Sequence, residues 1–334
     1  MKFNIARQPL VPALLTLAAI TVVAMWRSAA PADCTAENIA IPTHGLLAIQ
    51  SVEELLCRFQ TVCPLWASWI GGVLMLFTGL ILGRLTIRYN LYSVGTCLPI
   101  PLYGAFVAGL IAGPYSPSSI VAATLLALSV RNFSRAFCNG YGFDAIFRAS
   151  MYLGMLILVA PASLPLILLL PTAVILFHRT LRETVVALAG LLLPILAYGY
   201  VNWGAGGDFT SPFILAWEAY VNGSPLDAVE ALPLQNLIFF GLVFLLDVVA
   251  LFYFLADSFA AGNKPRTIFS FQIGLLVLFI PTMINPVSTT SGLLLAAVPS
   301  AVLIPFLLVR IHRLPTLILY LLILAGGIAI RFMQ

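Results

Sequence analysis

Charge is what this sequence has least of. Of 334 residues, 16 are Lys or Arg and 12 are Asp or Glu, 8% together, against about 25% in soluble globular domains. With 61% hydrophobic side chains, the chain cannot clothe itself in a water-facing surface, and a soluble fold is excluded. A bilayer crossing needs roughly 20 apolar residues at about 1.5 Å each. The length therefore holds about ten or eleven crossings and leaves no room for an extramembrane catalytic domain.

Histidine and cysteine are scarce too. The three histidines, His44, His178 and His312, fall in different loops on two sides of the membrane, which argues against a shared metal site. The sequence has no His-Glu-x-x-His, no Walker phosphate loop, no nucleophile elbow and no paired Cys-x-x-Cys. No motif asks for a cofactor or supports soluble-enzyme chemistry. The formal charge of +4 reads as a collar of loop residues rather than a nucleic-acid patch.

What the sequence does have is apolar runs. They extend over Leu10–Trp26, Leu65–Gly83, Val94–Ala112, Ser119–Val130, Ala149–Ala160, Leu164–Phe177, Val185–Trp203, Asn236–Ala256, Ile268–Ile284, Gly292–Val309 and Leu314–Ile330. The expected fold class is all-α, a polytopic transmembrane helix bundle of about 11 segments forming a single domain over 1–334. With the amino terminus inside, thirteen of the sixteen basic residues lie on the cytoplasmic side, and only Arg27, Arg58 and Arg331 lie outside. Eight acidic residues, Asp33, Glu37, Glu53, Glu54, Asp208, Glu218, Asp227 and Glu230, fall in outer loops. Trp26, Trp66, Trp69 and Trp203 sit at outer segment ends and Trp217 in an outer loop, where amphipathic rings favour the headgroup layer. This is the pattern of a multi-pass membrane protein with its amino terminus inside.

Three segments read as too short to cross comfortably: Ser119–Val130 and the two pieces left when Pro161 and Pro165 interrupt Ala149–Phe177. Short or re-entrant helices broken by proline mark either a substrate path or helices buried inside the bundle. At the amino terminus, Lys2, Arg7, an apolar run and Ala30-Pro31-Ala32 resemble a secretory signal. The run of 17 residues favours an uncleaved anchor.

Two outer loops are long, 27–64 and 204–235. The first carries Cys34, Cys57 and Cys63, and an oxidising compartment permits a disulfide from Cys34 to one of the other two. The second opens on Gly204, Gly206 and Gly207, and its stretch from Pro212 to Tyr220 has an apolar face suited to the interface.

Asp247 is the most informative residue. It lies near the middle of Asn236–Ala256, where an ionisable side chain costs at least about 2.5 kcal/mol. It is either an ion- or substrate-coupling carboxylate or a packing device bonded to a neighbouring helix. Arg131 and Arg135, and Arg179 and Arg182, flank the short segments on the inner side. Guanidinium forks suit phosphates, so an anionic lipid or polyprenyl phosphate is a sensible partner, although the topology rule alone also accounts for such a collar.

The run His178-Arg179-Thr180-Leu181-Arg182-Glu183, followed by Gly190, Pro194 and an outer loop, and the late Ala296-Ala297-Val298-Pro299 segment together resemble a family of uncharacterised multi-pass bacterial inner-membrane proteins. The resemblance implies a helical membrane fold and no defined activity. Three function classes stay open. One is a transporter, flippase or assembly factor for an anionic lipid-linked envelope substrate. A second is a scaffold or complex subunit without chemistry. The third is a polyprenyl-phosphate-sugar-dependent glycosyltransferase with Asp33 or Glu37 as its catalytic acid in the first outer loop.

Overall fold

A computed structural model describes residues 5–26, 56, 59–60, 62–111, 117–138, 142–222, 227–230, 232–257, 262–284 and 290–333. The protein is an all-α helical bundle, with no strand among the described residues. Six helices are long and apolar enough to cross a membrane, and shorter apolar helices accompany them.

The chain begins with α1 (Leu10–Trp26), α2 (Pro64–Arg88), α3 (Pro99–Leu110), α4 (Pro117–Cys138) and α5 (Phe143–Val159). A 3-10 turn over Pro161–Leu168 leads into α6 (Leu169–Leu176). Then come α7 (Leu181–Gly204), α8 (Ser211–Asn222), the single turn α9 (Asp227–Glu230), α10 (Leu234–Asp257) and α11 (Asn263–Ile284). A second 3-10 segment, Thr290–Ala296, precedes α12 (Ala297–Arg310), and α13 (Arg313–Met333) follows.

Two short helices form the centre. Every residue of α3 is buried, as is α12 from Ala297 to Leu308. Helices α1, α2, α10, α12 and α13 all pack on α3. Wide apolar faces such as Leu188, Leu192, Leu193 and Leu196 on α7, or Ile238, Leu245 and Phe252 on α10, are exposed, as a lipid-facing surface requires.

The segment lengths differ from the sequence reading in an instructive way. The stretch 119–130 is not a short segment but the middle of the 22-residue α4, which runs on through Arg131, Asn132 and Arg135. Charge ends an apolar run without ending a helix, since arginine is a good helix former. Likewise residues 149–159 are the later part of the 17-residue α5, which ends there with Ala160 as its C-cap. The piece after Pro161 is short, a 3-10 turn and the eight-residue α6, and a further short helix is α3, within Val94–Ala112: Pro99 and Pro101 fix its first turn, where a missing N–H costs nothing. The break after α5 falls where Pro161 and Pro165 put it.

A helix that ends inside the bundle leaves carbonyls without partners, which is costly away from water. At the end of α3 the Asn236 amide of α10 donates to Gly109 O at 3.0 Å and Ile111 O at 3.1 Å. Other helices approach through small residues, as expected in membranes. A Cβ on Gly327 of α13 would strike the Ala105 carbonyl of α3. Gly154 of α5 and Gly190 of α7 face each other's backbones at Leu191 and Phe147. Hydroxyls add Thr78 to Thr124 at 2.9 Å, and Ser129 donating to Ala149 O at 2.9 Å.

Candidate functional site

Asp247 sits midway along α10 and is 1% exposed. Its Oδ2 accepts a hydrogen bond from Ser300 Oγ of α12 at 2.5 Å, while Oδ1 is buried with no hydrogen-bond partner among the described residues. On the same face of α10, seven residues to either side, lie Phe240 and Phe254. Phe240 meets Phe279 of α11 at 6.3 Å between ring centroids, and Phe254 meets Phe269 of α11 at 5.4 Å and Phe306 of α12 at 5.9 Å. The carboxyl group thus lies in a layer between two aromatic contacts. A second polar group is buried on α11: neither Gln272 Nε2 nor Oε1 has a hydrogen-bond partner among the described residues, and the residue is 0% exposed. Sequence reasoning missed Gln272 because an uncharged amide leaves the apolar pattern nearly intact. Its position seven residues before Phe279, on one apolar stripe of α11, was the available signal.

Ring contacts also gather the basic ends of the helices. Phe269 touches Tyr92 and Phe306, and Phe271 touches Phe133 of α4 and Phe177 beyond α6. These contacts bring the chain after α2, the ends of α4, α6, α10 and α12 and the start of α11 to one end of the bundle. Arg84, Arg88, Arg131, Arg135, Lys264, Arg266, Arg310 and Arg313 belong to that end.

The flanking arginines are not equivalent there. Arg179 Nη1 bonds Glu183 Oε1 at 3.1 Å, and Glu183, 2% exposed, also accepts from Gly142 N at 3.3 Å and Thr180 N at 3.1 Å. The Thr180–Glu183 pair is a capping box that starts α7. Together with Phe133, Ala136, Phe177 and Ala187, Arg179 and Glu183 line a small, mostly apolar pocket, so the end of α4 and the start of α7 are neighbours. Arg131 is half-buried, and Arg135 and Arg182 are exposed. Arg310 pairs with Asp257 and lies 4.2 Å over the Phe306 ring.

Asp33, Glu37, Cys34 and Cys57 lie outside the described residues. Cys63, just before α2, carries a free thiol. Groups of His, Cys, Asp and Glu able to hold a metal ion are absent among the described residues.

Helix lengths, apolar outer faces and a buried central carboxyl group define a multi-pass membrane protein. No family model matches the chain, and neither a curated protein nor a solved structure matches it.

Proposed function

We propose that the protein sits in a bacterial inner membrane, amino terminus inside, and moves, flips or helps assemble an anionic lipid-linked envelope substrate. The observation that carries this reading is the Asp247 carboxyl group, buried in the bundle with one oxygen unpartnered. A packing device would be expected to use both oxygens, because an unsatisfied buried acceptor costs about 1 to 3 kcal/mol. A group retained at that cost is suited to a changing partner, as coupling carboxylates are. Arg131, Arg135 and Arg182 at the basic end support a contact to an anionic headgroup, whereas Arg179 pairs with Glu183. The likeness to uncharacterised multi-pass inner-membrane proteins agrees with this location.

The second reading, a scaffold without chemistry, draws on the dense packing of α3 and α12. Vesicles containing the purified protein and a fluorescent anionic lipid separate the two. Transbilayer movement that falls at least tenfold in Asp247→Asn, with normal folding, supports transport. Equal rates in the variant, the wild type and empty vesicles overturn it in favour of the scaffold.

A further inference from the structure

Helices α10 and α11 run antiparallel, since Phe240 near the start of one meets Phe279 near the end of the other, and Phe254 meets Phe269. Seven residues from Phe240 toward the basic end lies Asp247, and seven residues from Phe279 in the same direction lies Gln272. Two antiparallel helices in contact at one pair of positions are again level one heptad further along, because both rise about 1.5 Å per residue. From the Phe254–Phe269 contact the level position is Leu276, one turn from Gln272 on the same stripe, so Asp247 and Gln272 share a layer about one turn deep. Ser300, six residues before Phe306 on α12, belongs to it by its bond to Asp247. Helix α12 packs closely against both α10 and α11, whereas those two helices meet chiefly through their rings. Ring contacts hold the α10 and α11 backbones apart above and below the polar layer. Within it, Asp247 Oδ1 and both ends of the Gln272 amide are buried without hydrogen-bond partners among the described residues, and no hydrogen bond joins the two side chains.

We propose that Asp247, Gln272 and Ser300 form a single occluded binding site for one monovalent cation, a proton or a sodium ion, closed by the Phe240–Phe279 contact on one side and the Phe254–Phe269–Phe306 contacts on the other. Charge balance supports this chemistry. An ionised carboxylate in such a layer needs a positive charge, and among the described residues no fixed one lies at this level of α10 or of the helices packed against it. On α12 the only cation is Arg310, paired with Asp257 about 15 Å along the helix axis from Ser300. Lys264 and Arg266 lie at the start of α11 and Arg313 at the start of α13, all exposed, while Arg331 binds the Ala24 carbonyl at the other end of α13. The remaining titratable groups on α10 and the helices packed against it are phenols: Tyr253, Tyr103 of α3 and Tyr320, which bonds Gln8. The donors are all oxygens, Oδ1, Oε1 and Oγ, the set a hard cation prefers. A proton on Oδ1 would use the same neighbours as acceptors.

The inference deepens the reading of Asp247 as a coupling group, but its test requires no transport. The purified full-length protein in detergent is unfolded thermally across pH 5 to 9 in choline chloride, and at fixed pH in sodium against choline chloride. Proton occupancy makes Tm fall as pH rises, and sodium occupancy makes Tm rise with sodium at constant ionic strength. Whichever dependence the wild type shows should vanish in Asp247→Asn. A parallel readout is the infrared carboxyl band lost in Asp247→Asn. That band should shift in Gln272→Asn, which withdraws the amide by one methylene and conserves its polarity. A wild type insensitive to both cations, or an Asp247→Asn variant with the wild-type dependence, overturns the site. An unshifted band in Gln272→Asn removes Gln272 from it. A cation-dependent Tm without lipid movement in vesicles keeps the site and discards the transport reading.

Discussion

Two buried carboxyl groups show how position decides what a charge does. Glu183 lies at the first turn of α7, where it accepts from two backbone N–H groups and from Arg179, so every cost of its burial is offset locally. Asp247 has Ser300 for one oxygen and nothing for the other. Glu183 is accordingly read as structural, and its removal takes the ion-pair partner from a guanidinium that is itself only 10% exposed. Glu183→Ala is expected to lower stability by about 3 kcal/mol, read as a drop in Tm in detergent. Arg179→Ala on the Glu183→Ala background should cost clearly less than Arg179→Ala alone, and equal costs would show that the pair is not coupled. At Asp247 the expectation reverses: Asp247→Asn preserves the Ser300 contact without a buried charge, and its Tm should lie near that of the wild type with a proton in the site. Asp247→Leu buries Ser300 Oγ without its acceptor and should lower Tm or yield.

Helices obey packing rules that a charge count does not see. The sequence read the positions of α1, α7, α10, α11 and α13 to within a few residues, because each is a predominantly apolar run. It misjudged α4, whose inner end carries Arg131 and Arg135, and α3, whose start is set by Pro99 and Pro101 within a longer apolar stretch. It singled out Asp247 because a midspan charge stands out, but the layer around that residue was illegible: pairing Asp247 with Gln272 requires the register of α10 on α11. Close approach of α13 to α3 depends on Gly327, where a side chain would meet the Ala105 carbonyl. Gly327→Val should cost about 1 to 3 kcal/mol, seen as a lowered Tm or a loss of monodisperse protein. Gly274→Ala on α11, with open space around it, should be neutral or slightly stabilising. If both glycine variants behave alike, close packing is not what α13 needs. Helix α8 makes a different case. Ile214, Trp217 and Val221 fall on one face and are exposed, the arrangement of a helix lying in the headgroup layer. In a variant with Trp217 as its sole tryptophan, brominated lipids should quench the fluorescence strongly when the bromines are shallow and weakly when they are deep. Absence of quenching at any depth would place this face in water or against protein.

For the whole molecule, the contacts turn the charge asymmetry into a geometric statement. Ring contacts join the basic helix ends at one face, and the Cys97 N–H donates to the Gln8 carbonyl just ahead of α1 at 3.1 Å, so the start of α1 and the chain after α2 share that face. At the opposite face Arg331 Nε donates to the Ala24 carbonyl at 3.3 Å, which fixes the end of α13 beside the end of α1. The exits of α1 and α13 must therefore lie on the same side of the membrane, whatever the short helices between them do. Basic loops are retained in the cytoplasm, so the expected orientation puts residue 8 inside and residues 27 and 334 outside. A reporter active only in the periplasm, fused after Trp26 and after Gln334 in separate proteins, should be active at both sites. Fused after Arg88, Arg135 or Arg310, it should be silent. Opposite results at Trp26 and Gln334 would contradict the Arg331–Ala24 contact itself. Matching results with cytoplasmic activity at both would leave the bundle intact and reverse its orientation, placing the arginines on the outer face and removing the cytoplasmic headgroup contact from the proposed function.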